Sequence, residues 1–370
     1  MREKLLLIVR KGAQGGTRMK KKNKQLKRWI GIIFGILLAV FCVIVIGNRF
    51  RAEYNDLNKT DQFILKELDT YCRQTKESDV WQGFQLGDKA VAALGDSFGS
   101  IYLINPQKEV RSLFAKKIKM PDGYAIEVYR IAAVNPQLLQ FRLDGNFNSL
   151  EEKYRLCGND VYYTKYKKED AVDRTFSSSH YITFLTHEAF HYYMQAGWAE
   201  GSVYSVDAMS KEDQELLYQE YDVLTKIQEA LLGEKKEKEE FLAYAKEYVD
   251  IVEKRMKKNP KYVEQELDRE TIEGTATYVG IKASKLTGYD FGIMYFDNVK
   301  DVPFSDLKRT VEAGAYGKNE LAERIPYETG ALLCMLMDEI EIPDWQLQLN
   351  EQTKENQITL FSIIQRFVEE

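Results

Sequence analysis

Only three histidines occur in the 370 residues: His180, His187 and His191. Two of them enclose a glutamate in the run His187-Glu188-Ala189-Phe190-His191. On a helix, positions i and i+4 lie one turn apart on the same face. Both imidazoles can then grip one Zn²⁺ at about 2.0–2.1 Å, with Glu188 beside an open coordination position as a general base. The neighbours Phe184, Leu185, Thr186, Ala189, Phe190 and Tyr192 are uncharged and none is proline, which a buried metal helix requires.

A catalytic zinc wants a third protein ligand. His180 precedes His187 by seven residues, about 10.5 Å along a helix, so it is badly placed and a carboxylate must serve. Downstream, the chain reads as a helix that carries Glu266, Glu270, Glu273 and Thr277 along one stripe, at spacings of 4, 3 and 4. Glu273 is followed by Gly274 and Ala276, small residues that let this helix approach the histidine helix closely; Glu270 is the alternative ligand. Thr277 is placed to hydrogen-bond a zinc-bound imidazole and orient it.

These motifs resemble those of the gluzincin metallopeptidases, the His-Glu-x-x-His enzymes with a distant glutamate ligand. The run Glu273-Gly274-Thr275-Ala276-Thr277-Tyr278 is similar to the Glu-Gly-x-x-x-Tyr ligand helix of the aminopeptidase N-type branch. The run Ile325-Pro326-Tyr327-Glu328-Thr329-Gly330 is similar to that branch's Tyr-Glu-x-Gly helix start. The resemblance implies His187, His191 and Glu273 as zinc ligands, Glu188 as general base and Tyr327 as the hydroxyl that stabilises the oxyanion. Tyr278 and Tyr316 are substitutes for Tyr327. Two departures stand out. Glu273 follows His191 by 82 residues, far more than in that branch, and no Gly-x-Met-Glu-Asn segment is present, so exopeptidase specificity is not implied.

The chemistry that follows is hydrolysis of a peptide or protein substrate by a metal-activated water. The strand-like run Asp160–Tyr166 before the histidine helix offers an edge that an extended peptide joins. Two alternatives belong to other classes: a non-catalytic, membrane-anchored ectodomain that binds a protein or cell-wall ligand, and a component of a membrane assembly.

The elements that must position these residues are legible in outline. The expected fold class is α+β: a transmembrane helix, a small mixed or antiparallel sheet, then a mainly helical, zincin-like domain. Between about 98 and 167, four β-branched and aromatic runs alternate with Asn-Pro, Pro-Asp-Gly and Asp-Gly-Asn turn signals, predicting three to five strands; Leu138–Leu143 is counted among them. After Ser177, Ser178 and Ser179, which are good helix caps, the chain reads as helical nearly to its end. Residues 210–232 and 236–258 form an amphipathic pair separated by Gly233 and closed by Asn259-Pro260, an antiparallel hairpin inserted over 206–262. Residues 98–370 are expected to form the peptidase domain, preceded by a juxtamembrane helical region over 48–97.

Trp29 to Gly47 is an uncharged run of nineteen residues, about 28 Å as a helix, close to the thickness of a bilayer's hydrocarbon core. No small-x-small cleavage site follows, so the run reads as an uncleaved anchor. Residues 1–28 carry eleven Lys and Arg against one acid, which places this tail in the cytoplasm and the rest outside the cell. Residues 48–370 hold 41 bases against 56 acids, a net of −15, which excludes nucleic acid as a partner. Cys72, Cys157 and Cys334 allow one internal disulfide at most, so no disulfide scaffold is expected.

Overall fold

The computed structural model describes residues 27–50, 52–150, 152–171, 180–198, 206, 209–294 and 299–370. The tail up to residue 26 and Ser177, Ser178 and Ser179 lie outside them. Helix α1 (Lys27–Phe50) is long and apolar enough to cross a membrane, with a mean hydropathy of 3.1 over its most apolar window. Helix α2 (Lys59–Gln74) follows, started by Asn58, whose side chain accepts from the Asp61 amide.

The architecture is α+β. Six strands, β1 (Val91–Gly95), β2 (Ile101–Ile104), β3 (Ala115–Lys117), β4 (Val128–Ile131), β5 (Tyr154–Leu156) and β6 (Asn159–Tyr166), form one sheet in the order β3-β4-β2-β1-β6-β5. The sheet is mixed: β1 pairs in parallel with β6, Val91 opposite Tyr162, and the other pairs are antiparallel. Alternate residues of each strand feed two cores. Val91, Ala93, Tyr102, Ile104, Tyr162 and Tyr166 face the helical body. Ala92, Leu94, Ile101, Leu103, Val161 and Tyr163 face the other side, under helix α3 (Leu138–Leu143).

Two expectations change here. Leu138–Leu143 is a helix and not a strand: Leu138 and Phe141, three residues apart, are buried while Leu139 and Leu143 stay exposed. Strand β1 was not foreseen, because "VAALG" carries one β-branched residue; its place between β2 and β6 makes it a strand. The sheet also runs across the boundary drawn at residue 97, and Ile64, Leu65, Leu68 and Tyr71 of α2 lie in the same core as the later helices. Helix α2 and strand β1 therefore share a core with the later helices.

The helical body comprises α4 (Tyr181–Met194), α5 (Lys211–Leu232), α6 (Lys238–Lys258), α7 (Pro260–Leu286), α8 (Asp306–Glu312), α9 (Glu320–Glu323), α10 (Ile325–Glu339), α11 (Trp345–Asn350) and α12 (Leu360–Glu369). A Ser210–Asp213 capping box starts α5, and Pro260 takes the first turn of α7, where its missing N–H costs nothing. The ion pairs Lys226–Glu247, Glu220–Arg255 and Glu212–Lys258 step in opposite directions along α5 and α6, which makes the hairpin antiparallel as expected. Buried Arg255 also pairs with Glu266 of α7, tying the hairpin to that helix. The four cysteines are free.

Candidate metal centre

Helix α4 presents His187 and His191 one turn apart, with their Nε2 atoms 3.1 Å from each other. Glu273 of α7 brings Oε2 to 3.7 Å from the first and 3.3 Å from the second. Three ligands at about 2.0–2.1 Å around a tetrahedral ion stand about 3.3–3.4 Å apart. The observed triangle fits that demand, and one ion can touch all three atoms. Among the described residues this is the cluster of His, Cys, Asp and Glu suited to holding a metal.

Glycines allow the helices to come this close. A Cβ on Gly280 of α7 would lie 3.3 Å from the Thr183 backbone oxygen and 3.8 Å from the His187 Cβ. Where α7 crosses α10, Gly274 meets Gly330 backbone to backbone. That crossing sets Tyr327 beside the site. Its ring lies nearly parallel to that of His187, 5.9 Å between centroids at 3°.

The protonation pattern follows from the second layer of contacts. Gln195 donates from Nε2 to the Ile272 carbonyl (2.9 Å) and to the Thr275 hydroxyl (2.7 Å). Its Oε1 therefore faces His191 Nδ1 as an acceptor, and Nδ1 must carry the proton. His191 Nε2 is left bare toward the centre, as a metal ligand requires. Thr277, expected in this role, lines the cleft instead and makes no hydrogen bond to either imidazole.

Electrostatics set the four groups apart. Burial opposes the charge on Glu273, but the two imidazoles of His187 and His191 beside it outweigh burial and hold its carboxyl well below the usual range. Burial also works against a charged His191, yet contact with Glu273, helped by the charge of Glu188, raises its pKa. Burial pushes the carboxyl of Glu188 up, against the pull of the two imidazoles. For Tyr327 burial comes first and the Glu273 charge second, both raising the phenol, so it stays a hydroxyl donor.

Two cavities meet at this centre. One, of about 710 Å³, is walled by Phe184, Arg269, Thr277, Glu320 and Arg324. The other, of about 660 Å³, is walled by Phe147, Leu150, Trp198, Ile272 and Lys354. His187, Glu188 and Tyr327 border both.

No protein-family model, curated protein or solved structure matches this chain.

The other sequence candidates separate cleanly. Glu270, the alternative ligand, is buried away from the imidazoles, accepts from the Tyr248 hydroxyl (3.3 Å), and is pushed up to about 8, chiefly by burial. Glu266 binds Arg255. Tyr278 bonds Asp338 and packs on Trp81 and Trp345, and Tyr316 lies near Arg324 and Glu320, whereas Tyr327 borders both cavities and stacks beside His187. His180 starts α4 and stacks on Tyr289 at 3.6 Å. Strand β6 is flanked by β1 and β5, and Phe147 bridges to Thr164, so the peptide-accepting edge expected there is already taken. Gln195 was missed; its one signal was a position four residues after His191.

Proposed function

We propose that this chain is a membrane-anchored zinc peptidase of gluzincin type that cleaves peptide bonds in a zincin-like domain outside the cell. The triangle of His187 Nε2, His191 Nε2 and Glu273 Oε2, at 3.1–3.7 Å with Glu188 alongside, carries the reading. A structural zinc site has no use for the glutamate next to His187.

Zn²⁺, when bound, supplies a water acidified toward neutrality and polarises the scissile carbonyl. Glu188 takes the proton of the attacking water and hands it to the leaving amine, a role suited by a carboxyl whose pKa burial has raised. The Tyr327 hydroxyl donates to the oxyanion as the carbonyl becomes tetrahedral. Gln195 keeps His191 in the ligating tautomer. Two cavities of similar size border Glu188, room for a substrate that extends beyond the scissile bond, which favours internal cleavage. The basic tail before α1 sets the proposed topology, with the N-terminus cytoplasmic.

The test is elemental analysis of the purified full chain, with assays on end-blocked peptides. Zinc near one per chain is expected for the unmodified protein and for Glu188→Gln, and loss of zinc for His187→Ala. Hydrolysis should vanish in Glu188→Gln. Absence of bound metal, or full activity in Glu188→Gln, overturns the reading.

A further inference from the structure

The end of α1 is joined to the domain by several bonds. The Asn48 side chain, buried, donates from Nδ2 to the backbone oxygens of Phe114 and Arg130, both at 3.2 Å. The backbone then pairs onto the sheet edge: Lys119 N donates to Ala52 O at 2.7 Å, and Tyr54 N to Lys119 O at 3.1 Å. Among the described residues, helix and domain are thus tied together on both sides of residue 51.

Deeper along α1, Phe41 packs edge-on against the Phe114 ring, with 5.9 Å between centroids. Phe41 lies six residues before the last residue of the uncharged run, so this contact is about 9 Å inside its outer end. Leu113, beside Phe114, has 72% of its surface exposed, and Arg111, two residues earlier, is exposed as well. A leucine exposed beside that contact has lipid as its natural neighbour, and Arg111, whose guanidinium pairs with Glu109 at 2.6 Å, stands next to it at the surface.

The geometry points to the Arg111–Phe114 loop as a second bilayer contact, seated in the lipid interface beside α1, so that the domain rests on the membrane at its β3 edge. This inference rests on α1 being an anchor and is independent of the metal centre. Within the sheet, α4 packs on β6, through Tyr162 against Tyr192 and Tyr193, four strand steps from β3, roughly 19 Å at about 4.8 Å per strand.

The experiment places the full-length protein in phosphatidylcholine/phosphatidylglycerol vesicles, with and without lipids brominated near the headgroup, and reads tryptophan emission. Leu113→Trp is compared with Leu232→Trp, an exposed control at the end of α5. Both sites are at the surface, so neither variant threatens folding. After subtraction of the unmodified protein, Leu113→Trp should lose most of its added emission to brominated lipid and Leu232→Trp should lose none. Equal quenching of the two, in protein that floats with the vesicles, overturns the loop contact and leaves the anchor standing. Protein that does not float with vesicles overturns both.

Discussion

A Cβ on Gly274 would lie 2.3 Å from the Gly330 Cα, and one on Gly330 would lie 2.1 Å from the Glu270 backbone oxygen. The contact is between two main chains, with no side chain able to yield. It fixes the spacing of α7 and α10, and so the placement of Glu273, next to Gly274, relative to Tyr327, one turn before Gly330.

Gly330→Ala should therefore force the two helices apart. A loss of roughly 1–3 kcal/mol is expected, as for overpacking in a rigid core. Thermal unfolding should show it as a lowered Tm, whereas Gly280→Ala, whose new methyl meets nothing nearer than 3.3 Å, should cost less. Equal Tm values for the two variants would contradict the picture of α7 and α10 in main-chain contact.

Gln195 is expected to govern metal affinity without touching the metal. Removing its acceptor in Gln195→Leu frees the His191 ring to turn and to change tautomer. Competition with a chelator should show affinity weakened about 10–100-fold. Gln195→Glu keeps an acceptor for Nδ1 but loses the bonds to Ile272 and Thr275 that hold the side chain, so its affinity should fall between those of Gln195→Leu and the unmodified protein.

Tyr327→Phe separates binding from turnover. Its hydroxyl is assigned to the oxyanion, so kcat should fall on the order of 100-fold while KM and metal content change little. An unaltered kcat would remove Tyr327 from the chemistry.

Stability should depend on pH through carboxyls remote from the metal triangle. Burial pushes Glu270 and Glu67 each up to about 8, from an ordinary value of 4.5. The folded state thus holds protons that the unfolded chain has released. The stability is fully present below pH 4.5 and is lost as pH rises through about 8. Each group contributes on the order of a few kcal/mol to that change. Glu270→Gln, which keeps the shape of the neutral form, should flatten the decline of Tm between pH 5 and about 8.5; an unchanged slope would show that Glu270 is not protonated in the fold.

Local patterns in the chain were enough for whatever depends on one element at a time. A five-residue run put two imidazoles on one helical face with a glutamate beside them, because helical period alone decides that. An uncharged run of nineteen residues marked a membrane-length helix, and repeated apolar faces around Gly233 marked the hairpin. The tertiary structure decided what depends on which element comes to lie opposite. Glu266, Glu270 and Glu273 share one stripe of α7, yet they meet Arg255, Tyr248 and the imidazoles in turn. Seven residues of helix advance about 10.5 Å, enough for the hairpin to cover one level and α4 the next. The same reason hid Gln195 and β1: an amide is an orienter only once Ile272 and Thr275 hold it, and an alanine-rich segment is a strand only once β2 and β6 flank it.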